Sequence, residues 1–204
     1  MLQVDENSHV RDDPSAMRAK IDAALRPLGL TCDAIEQTAS QVVLFGSRAA
    51  GVADENSDWD LLVVGEGRSI HARQVDLIRI PPAAVQSARW LGSELAAHVA
   101  TYGRWLFGPD EWRARARVSP EAVTQKRDSV EFQLGELGRL WPFLLPAARA
   151  RHLTRLRREV QRLEVMRGGH AVPPGRYLDL AWKQCSFPRE DLADLMAAVR
   201  SAQP

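Results

Sequence analysis

Cysteine is scarce in this chain of 204 residues: there are two, Cys32 and Cys185, far apart and without a partner at ligand spacing. That excludes a disulfide framework and predicts reduced, structural thiols. The five histidines (His9, His71, His98, His152, His170) are scattered, and none stands at a helical or turn spacing from another His or Cys, so a zinc site has no support. No apolar run is long enough to cross a bilayer. The first residues, MLQVDENSHVRDDP, are polar and mixed in charge, unlike a signal or transit peptide, and a cytoplasmic location is expected. A charge excess is missing too. With 27 basic and 26 acidic residues the chain lacks the global basic balance of proteins that grip long nucleic acid. Lysine is nearly absent (Lys20, Lys126, Lys183), and the preference for Arg, beside abundant Ala and Leu, reads as genome composition.

What is present is ordinary globular composition, 45% apolar and 26% charged, with length for one good core or two small ones. After a polar arm over residues 1–13, Met17, Ile21, Leu25 and Leu28 space an amphipathic helix over Pro14 to Leu30. Ser40 to Phe45 contains a buried strand that runs into Gly46-Ser47-Arg48-Ala49-Ala50-Gly51, a strand-to-helix junction. The polar turn Asp54-Glu55-Asn56-Ser57 leads into a second strand, DWDLLVV. A loop at Gly65–Ser69 precedes a third strand, Arg73 to Ile80, ended by Pro81-Pro82. The remainder reads as helical. Leu91, Leu95, Val99, Tyr102 and Leu106 form one stripe closed by Gly108-Pro109, and Ser119-Pro120-Glu121 is a helix start. Leu153, Leu156, Val160 and Leu163 mark a helix ending at Gly168-Gly169, and Leu192, Leu195, Met196 and Val199 mark a last one.

Three features carry chemistry: Gly46-Ser47 after a strand, Asp58-x-Asp60 opening the next, and Asp76 inside the third. Residues two apart in a strand share a face, so Asp58 and Asp60 project together while Trp59, Leu61 and Val63 pack on the other side. Paired carboxylates repel, and a divalent cation with hard oxygen ligands is the best compensation. Asp76 can complete a cluster able to hold two metal ions roughly 3.5–4 Å apart, as ligand and general base. Asp is depleted in strands and costly among Val75, Leu77 and Ile78 unless something pairs with it. Gly46 lets backbone approach a phosphate, Ser47 supplies a hydroxyl and N–H, and Arg48 either adds charge to the site or faces solvent. A calcium-loop reading of Asp54-x-Asn56-x-Asp58 fails, because Trp59 stands at the tight-turn glycine position and Gly65 at the bidentate acid position.

The run VVLFGSRAAGVADENSDWDLLVV, followed by VDLIRI, resembles the nucleotidyltransferase domain of the DNA polymerase β superfamily, above all its minimal and antibiotic-modifying members. The likeness is strong over about Gln41 to Ile80 and weaker over Trp90 to Trp112. It implies an α+β fold: a small mixed sheet with flanking helices over 14–118, then a helical bundle over 119–204. It also implies Gly46, Ser47 and Arg48 at the nucleotide, and Asp58, Asp60 and Asp76 as metal ligands and catalytic acids with Mg2+, two ions. The implied reaction is attack of an acceptor hydroxyl on the α-phosphorus of an NTP, with ATP the leading choice, releasing pyrophosphate.

The acceptor is left open between a small hydroxylated molecule, aminoglycoside-like, and a protein. In the latter reading the chain is an antitoxin-type adenylyltransferase paired with a helical RNase toxin, and a toxin or a second copy is the macromolecular partner. A third reading is a nucleotide-binding interaction module without turnover. An acidic pocket for a polycation would draw on Glu94, Asp110 and Glu111; Tyr102 and Trp105 are candidates to stack a base; Lys126 or Lys183 would reach phosphates. The Arg-then-His spacing of helical RNases is absent, which disfavours RNase activity in this chain itself.

Overall fold

The computed structural model describes residues 13–178. Residues 1–12 of the arm, the helix expected around Leu192–Val199, Lys183 and Cys185 lie outside them. By contact the described residues group into a sheet unit (13–85 with 102–111) and a helical unit (86–101 with 112–178).

The sheet unit begins with α1 (Pro14–Leu25), whose first turn is capped when the Asp13 carboxylate accepts the Ser15 N–H at 3.2 Å. Met17, Ile21 and Leu25, four residues apart, are its buried stripe. A short 3₁₀ turn follows and stops at Gly29, which takes φ 71°. The second helix, α2 (Cys32–Glu36), is capped by Thr31 and joined to α1 by Arg18, which reaches Asp33 at 2.6 Å and Glu36 at 2.5 Å. Burial, then Asp22, pushes the Cys32 thiol up to about 12, so it packs as an inert small hydrophobe.

Then come β1 (Ala39–Phe45), α3 (Gly46–Ala49), β2 (Trp59–Gly65), β3 (Ile70–His71), β4 (Val75–Ile80), α4 (Pro82–Val85), α5 (Ala88–Leu91), α6 (Glu94–Tyr102) and β5 (Arg104–Phe107). The sheet order is β3-β4-β2-β1-β5, with β2 and β4 parallel and all other pairs antiparallel. Alternation along the strands sends Val42, Leu44, Leu61, Val63, Val75 and Leu77 to one face, where they pack on Met17, Ile21, Leu25 and Ile35. The opposite face carries Phe45, Asp60 and Asp76.

Three elements differ from the sequence reading. The helix expected over Pro14 to Leu30 ends at Leu25, with the 3₁₀ turn after it. The apolar stripe from Leu91 to Leu106 is not one helix: Leu91 ends α5, α6 runs from Glu94 to Tyr102, and Arg104–Phe107 is the edge strand of the sheet, pairing with Val42–Leu44. Gly108 makes the turn out of it possible, with φ 78° and Ser40 O where a Cβ would stand. The third strand begins at Val75, not Arg73, because 72–75 form the tight turn (Ala72 N–H to Val75 O, 2.9 Å) that joins it to the two-residue β3.

In the helical unit, α7 (Pro120–Leu140) starts as expected: the Ser119 hydroxyl accepts the Ala122 N–H at 3.1 Å, with Pro120 at the first helical position. Val130, Leu134 and Leu137 meet Leu153, Leu156 and Val160 of α8 (Pro146–Arg167), an antiparallel pair joined by a short 3₁₀ turn. Four ionic side chains join α6, α7 and α8. Lys126 bridges Glu94 (2.9 Å) and Glu159 (2.8 Å), and Arg162 pairs with Glu94 at 2.6 Å. Burial alone would push the Glu94 carboxyl up, but Arg162 and Lys126 together outweigh it and hold it below the usual carboxylate range. Neither the acid offered for a cationic substrate nor the lysine offered for phosphates is therefore available: Glu94 and Lys126 neutralise one another inside the helices. Beside them His98 donates from Nδ1 to Val172 O at 2.6 Å, and burial holds its pKa below the ordinary histidine value.

Candidate active site

The site begins where β1 ends. Phe45 is extended, and Gly46 turns the chain with φ 71° into the single turn of α3. A Cβ on Gly46 would lie 1.9 Å from Oδ2 of Asp60, so backbone and carboxylate touch here and only glycine fits. With four residues α3 has little macrodipole. What Gly46-Ser47 can offer an anion is therefore close backbone approach and the Ser47 hydroxyl.

Register does the rest. Phe45 pairs with Asp60 across β1 and β2, Asp60 with Asp76 across β2 and β4, and Asp76 with His71 across β4 and β3. Laterally paired residues point to the same side of a sheet, so Phe45, Asp60, Asp76 and His71 form one row over four strands. Asp76 therefore lies on the same face as Asp60. Asp58, immediately before β2, is exposed at the end of the loop that leads into it.

That loop is held. The Asp54 carboxylate accepts from Asn56 N–H and from the Ser57 hydroxyl, both at 3.0 Å. Arg48 folds back onto that loop. Its guanidinium donates to the carbonyls of Ser57 (3.1 and 2.5 Å) and Asp58 (3.0 Å) and lies 4.3 Å over the Trp59 ring. The sequence reading missed this use, because an arginine ten residues before a loop carries no local sign of where it folds back.

Electrostatically the site is strained in charge. Burial, then the neighbouring Asp58 and Asp76, push the Asp60 carboxyl up to about 7, while Arg48 pulls the other way. Among the described residues no three His, Cys, Asp or Glu side chains are drawn together closely enough to hold an ion as they stand. The donor set itself, three hard oxygen ligands with an excess of negative charge, fits a divalent cation of the Mg2+ type. His71 is the residue the sequence reading passed over. Its Nδ1 lies 2.5 Å from Oδ1 of Asp76.

Of the other candidates, Trp105 and Tyr102 are half-buried, Trp105 opposite Val43 on the edge strand, and Asp110 and Glu111 are exposed.

The mixed sheet, its flanking helices and the helical region after it are a nucleotidyltransferase-type fold, and the family match makes the chain a nucleotidyl-transferring enzyme. The chain belongs to the nucleotidyltransferase domain family, whose model matches residues 32–139. Among solved structures it is similar to a spectinomycin adenyltransferase from Enterococcus faecialis determined with ATP and spectinomycin. That pair shares 16% identity at TM-score 0.50, over 90% of this chain and 87% of that one. A nucleotidyltransferase-like protein from Exiguobacterium sibiricum matches at 13% identity and TM-score 0.38, over 89% and 75% of the two chains. A toxin-antitoxin structure with AMP-PNP matches at 21% and TM-score 0.29, over 61% of this chain and 95% of that one. No curated protein matches. At 16% identity the likeness to the spectinomycin adenyltransferase concerns the fold alone.

Proposed function

We propose that this chain transfers a nucleoside monophosphate from an NTP to an acceptor hydroxyl, releasing pyrophosphate, on the sheet face that carries Asp60 and Asp76, with Asp58 from the loop before β2. The observation that carries the reading is the lateral pairing of Asp60 with Asp76 directly beside the glycine turn at Gly46. It brings an acidic, cation-demanding site against a backbone that a phosphate can approach.

Asp58, Asp60 and Asp76 would hold Mg2+, which when bound supplies charge neutralisation at the triphosphate and activation of the attacking oxygen. The chain's own residues do the rest. Gly46, having no side chain, lets the Asp60 carboxylate lie against its backbone, and Ser47 offers its hydroxyl to a phosphate oxygen. Arg48 fixes the Asp58 backbone, so that carboxylate starts from a held position. Asp76, at the outer side of the row, takes the acceptor proton on its carboxylate as the new ester bond to phosphorus forms and the bond to pyrophosphate breaks. ATP is the expected donor. The acceptor in this reading is a small hydroxylated molecule, aminoglycoside-like, or a protein.

The test is incubation with labelled ATP, GTP, CTP or UTP and Mg2+, following pyrophosphate and the fate of label in small molecules, RNA and protein. Pyrophosphate release that Asp58→Ala or Asp60→Ala abolishes without unfolding is expected. An unchanged rate in either variant would overturn the assignment. NTP-dependent stabilisation with no product under any condition would instead mean a binding module.

A further inference from the structure

We propose that His71 is a positioning residue for the third carboxylate: it donates from Nδ1 to Oδ1 of Asp76, fixes the plane of that carboxyl group and leaves Oδ2 to act on metal and acceptor. The inference rests on the transfer reading above and deepens it.

The placement is built by the fold. Strand β3 has two residues and makes two pairs, Ile70 with Leu77 and His71 with Asp76. Ile70 packs against the sheet's apolar core, which anchors the strand, while the turn at 72–75 sets its register. His71 is thereby the outermost member of the row that contains Asp60 and Asp76, and its ring reaches Asp76 at 2.5 Å. An ionised carboxylate can only accept, so Nδ1 is the donor. The His71 side chain is 72% exposed and that of Asp76 31% exposed. An exposed pair has little worth for stability, so the consequence of the contact is the orientation it gives the Asp76 carboxylate. A carboxylate free to rotate about its last torsion presents either oxygen to a metal; one that is held presents the same oxygen at every turnover. Outer partners of this type typically change metal affinity or activity 10–100-fold when removed.

The experiment compares wild type with His71→Ala, His71→Asn and His71→Gln, and with Asp76→Asn as the reference for loss of the carboxylate. Asn places an N–H close to the position of Nδ1, whereas Gln extends it toward that of Nε2. Two quantities are read: kcat and KM for the NTP in Mg2+, and the affinity for Mn2+ by titration calorimetry in the absence of nucleotide. His71→Ala should lower kcat about 10- to 100-fold with KM within about 3-fold, and weaken Mn2+ binding about 10-fold. His71→Asn should recover both to within about 3-fold of wild type, and His71→Gln should not. If His71→Ala matches wild type in kcat and Mn2+ affinity while Asp76→Asn loses both, the positioning role falls and the transferase reading stands. If Asp76→Asn itself changes neither, the transferase reading falls and takes the role of His71 with it. Equal loss in the Asn, Gln and Ala variants, with no rescue, would mean only packing at the strand and would also overturn the proposal.

Discussion

At the scale of single residues, Gly46 and Asp60 are tied to each other. Gly46→Ala would put a methyl carbon 1.9 Å from a carboxylate oxygen at a backbone angle that alanine resists. A loss of about 1–3 kcal/mol in unfolding free energy is expected, with turnover falling about 100-fold or more. Denaturant titration and steady-state rates measure the two. The Asp60 carboxyl makes a prediction of opposite sign for stability. Its folded-state pKa, near 7, is above the unfolded value of 3.8, so the folded state binds the proton more tightly. The stability linked to that proton is complete below the unfolded value and is lost as pH rises through 7. Asp60→Asn should therefore stabilise the metal-free protein at pH 8, by on the order of 1 kcal/mol once solvent contact is allowed for, and make no difference at pH 3.5. Urea unfolding in a chelator at the two pH values tests it, and a difference that grows toward acid would contradict it.

At the scale of elements, the tethers around the acid loop and between the helices are the exposed points. Arg48→Met keeps much of the contact with Trp59 but removes the donors to Ser57 and Asp58. We expect kcat to fall about 10-fold, equivalent to ~1.4 kcal/mol of transition-state stabilisation, with the circular dichroism spectrum unchanged. In the helical unit, Lys126→Met leaves two half-buried glutamates facing each other across one arginine. Removing one partner of such a network typically costs about 3–5 kcal/mol, so thermal unfolding should show a lower transition, and replacing Glu159 as well by Gln should restore part of it. Elements also mark where sequence reading ran short. The order Gly46-Ser47, Asp58-x-Asp60, Asp76 was legible because strand period and residue type agree, and α7 and α8 were legible from caps and stripes. Strand β5 was not: Tyr102 and Leu106 continue the helical spacing of Leu91, Leu95 and Val99, and only pairing with β1, remote in sequence, makes Arg104–Phe107 extended. His71 was hidden for a related reason. A two-residue strand has no period, and its nearness to Asp76 exists only once the turn at 72–75 has chosen its register.

At the scale of the whole molecule, a formal charge of +1 conceals a division. The described sheet unit has 12 acidic and 8 basic residues, while the described helical unit has 7 and 15. Genome bias toward arginine explains the choice of Arg over Lys, but not this separation of sign. The protein should accordingly bind a heparin column at low ionic strength and elute well below 0.5 M salt, roughly as expected for a handful of released counter-ions; passage without retention at 50 mM salt would show that the basic side chains are neutralised where they stand. The row across the sheet has a consequence of its own. Its members come from four separate strands, and a slip of one residue in any of them would carry that strand's contribution through to the reverse side. A chain with every helix formed and a single strand misaligned would look nearly native to a spectrometer and be inert. Turnover is thus a more exacting witness to correct assembly of this protein than any spectral signal, and refolding yields are best counted by it.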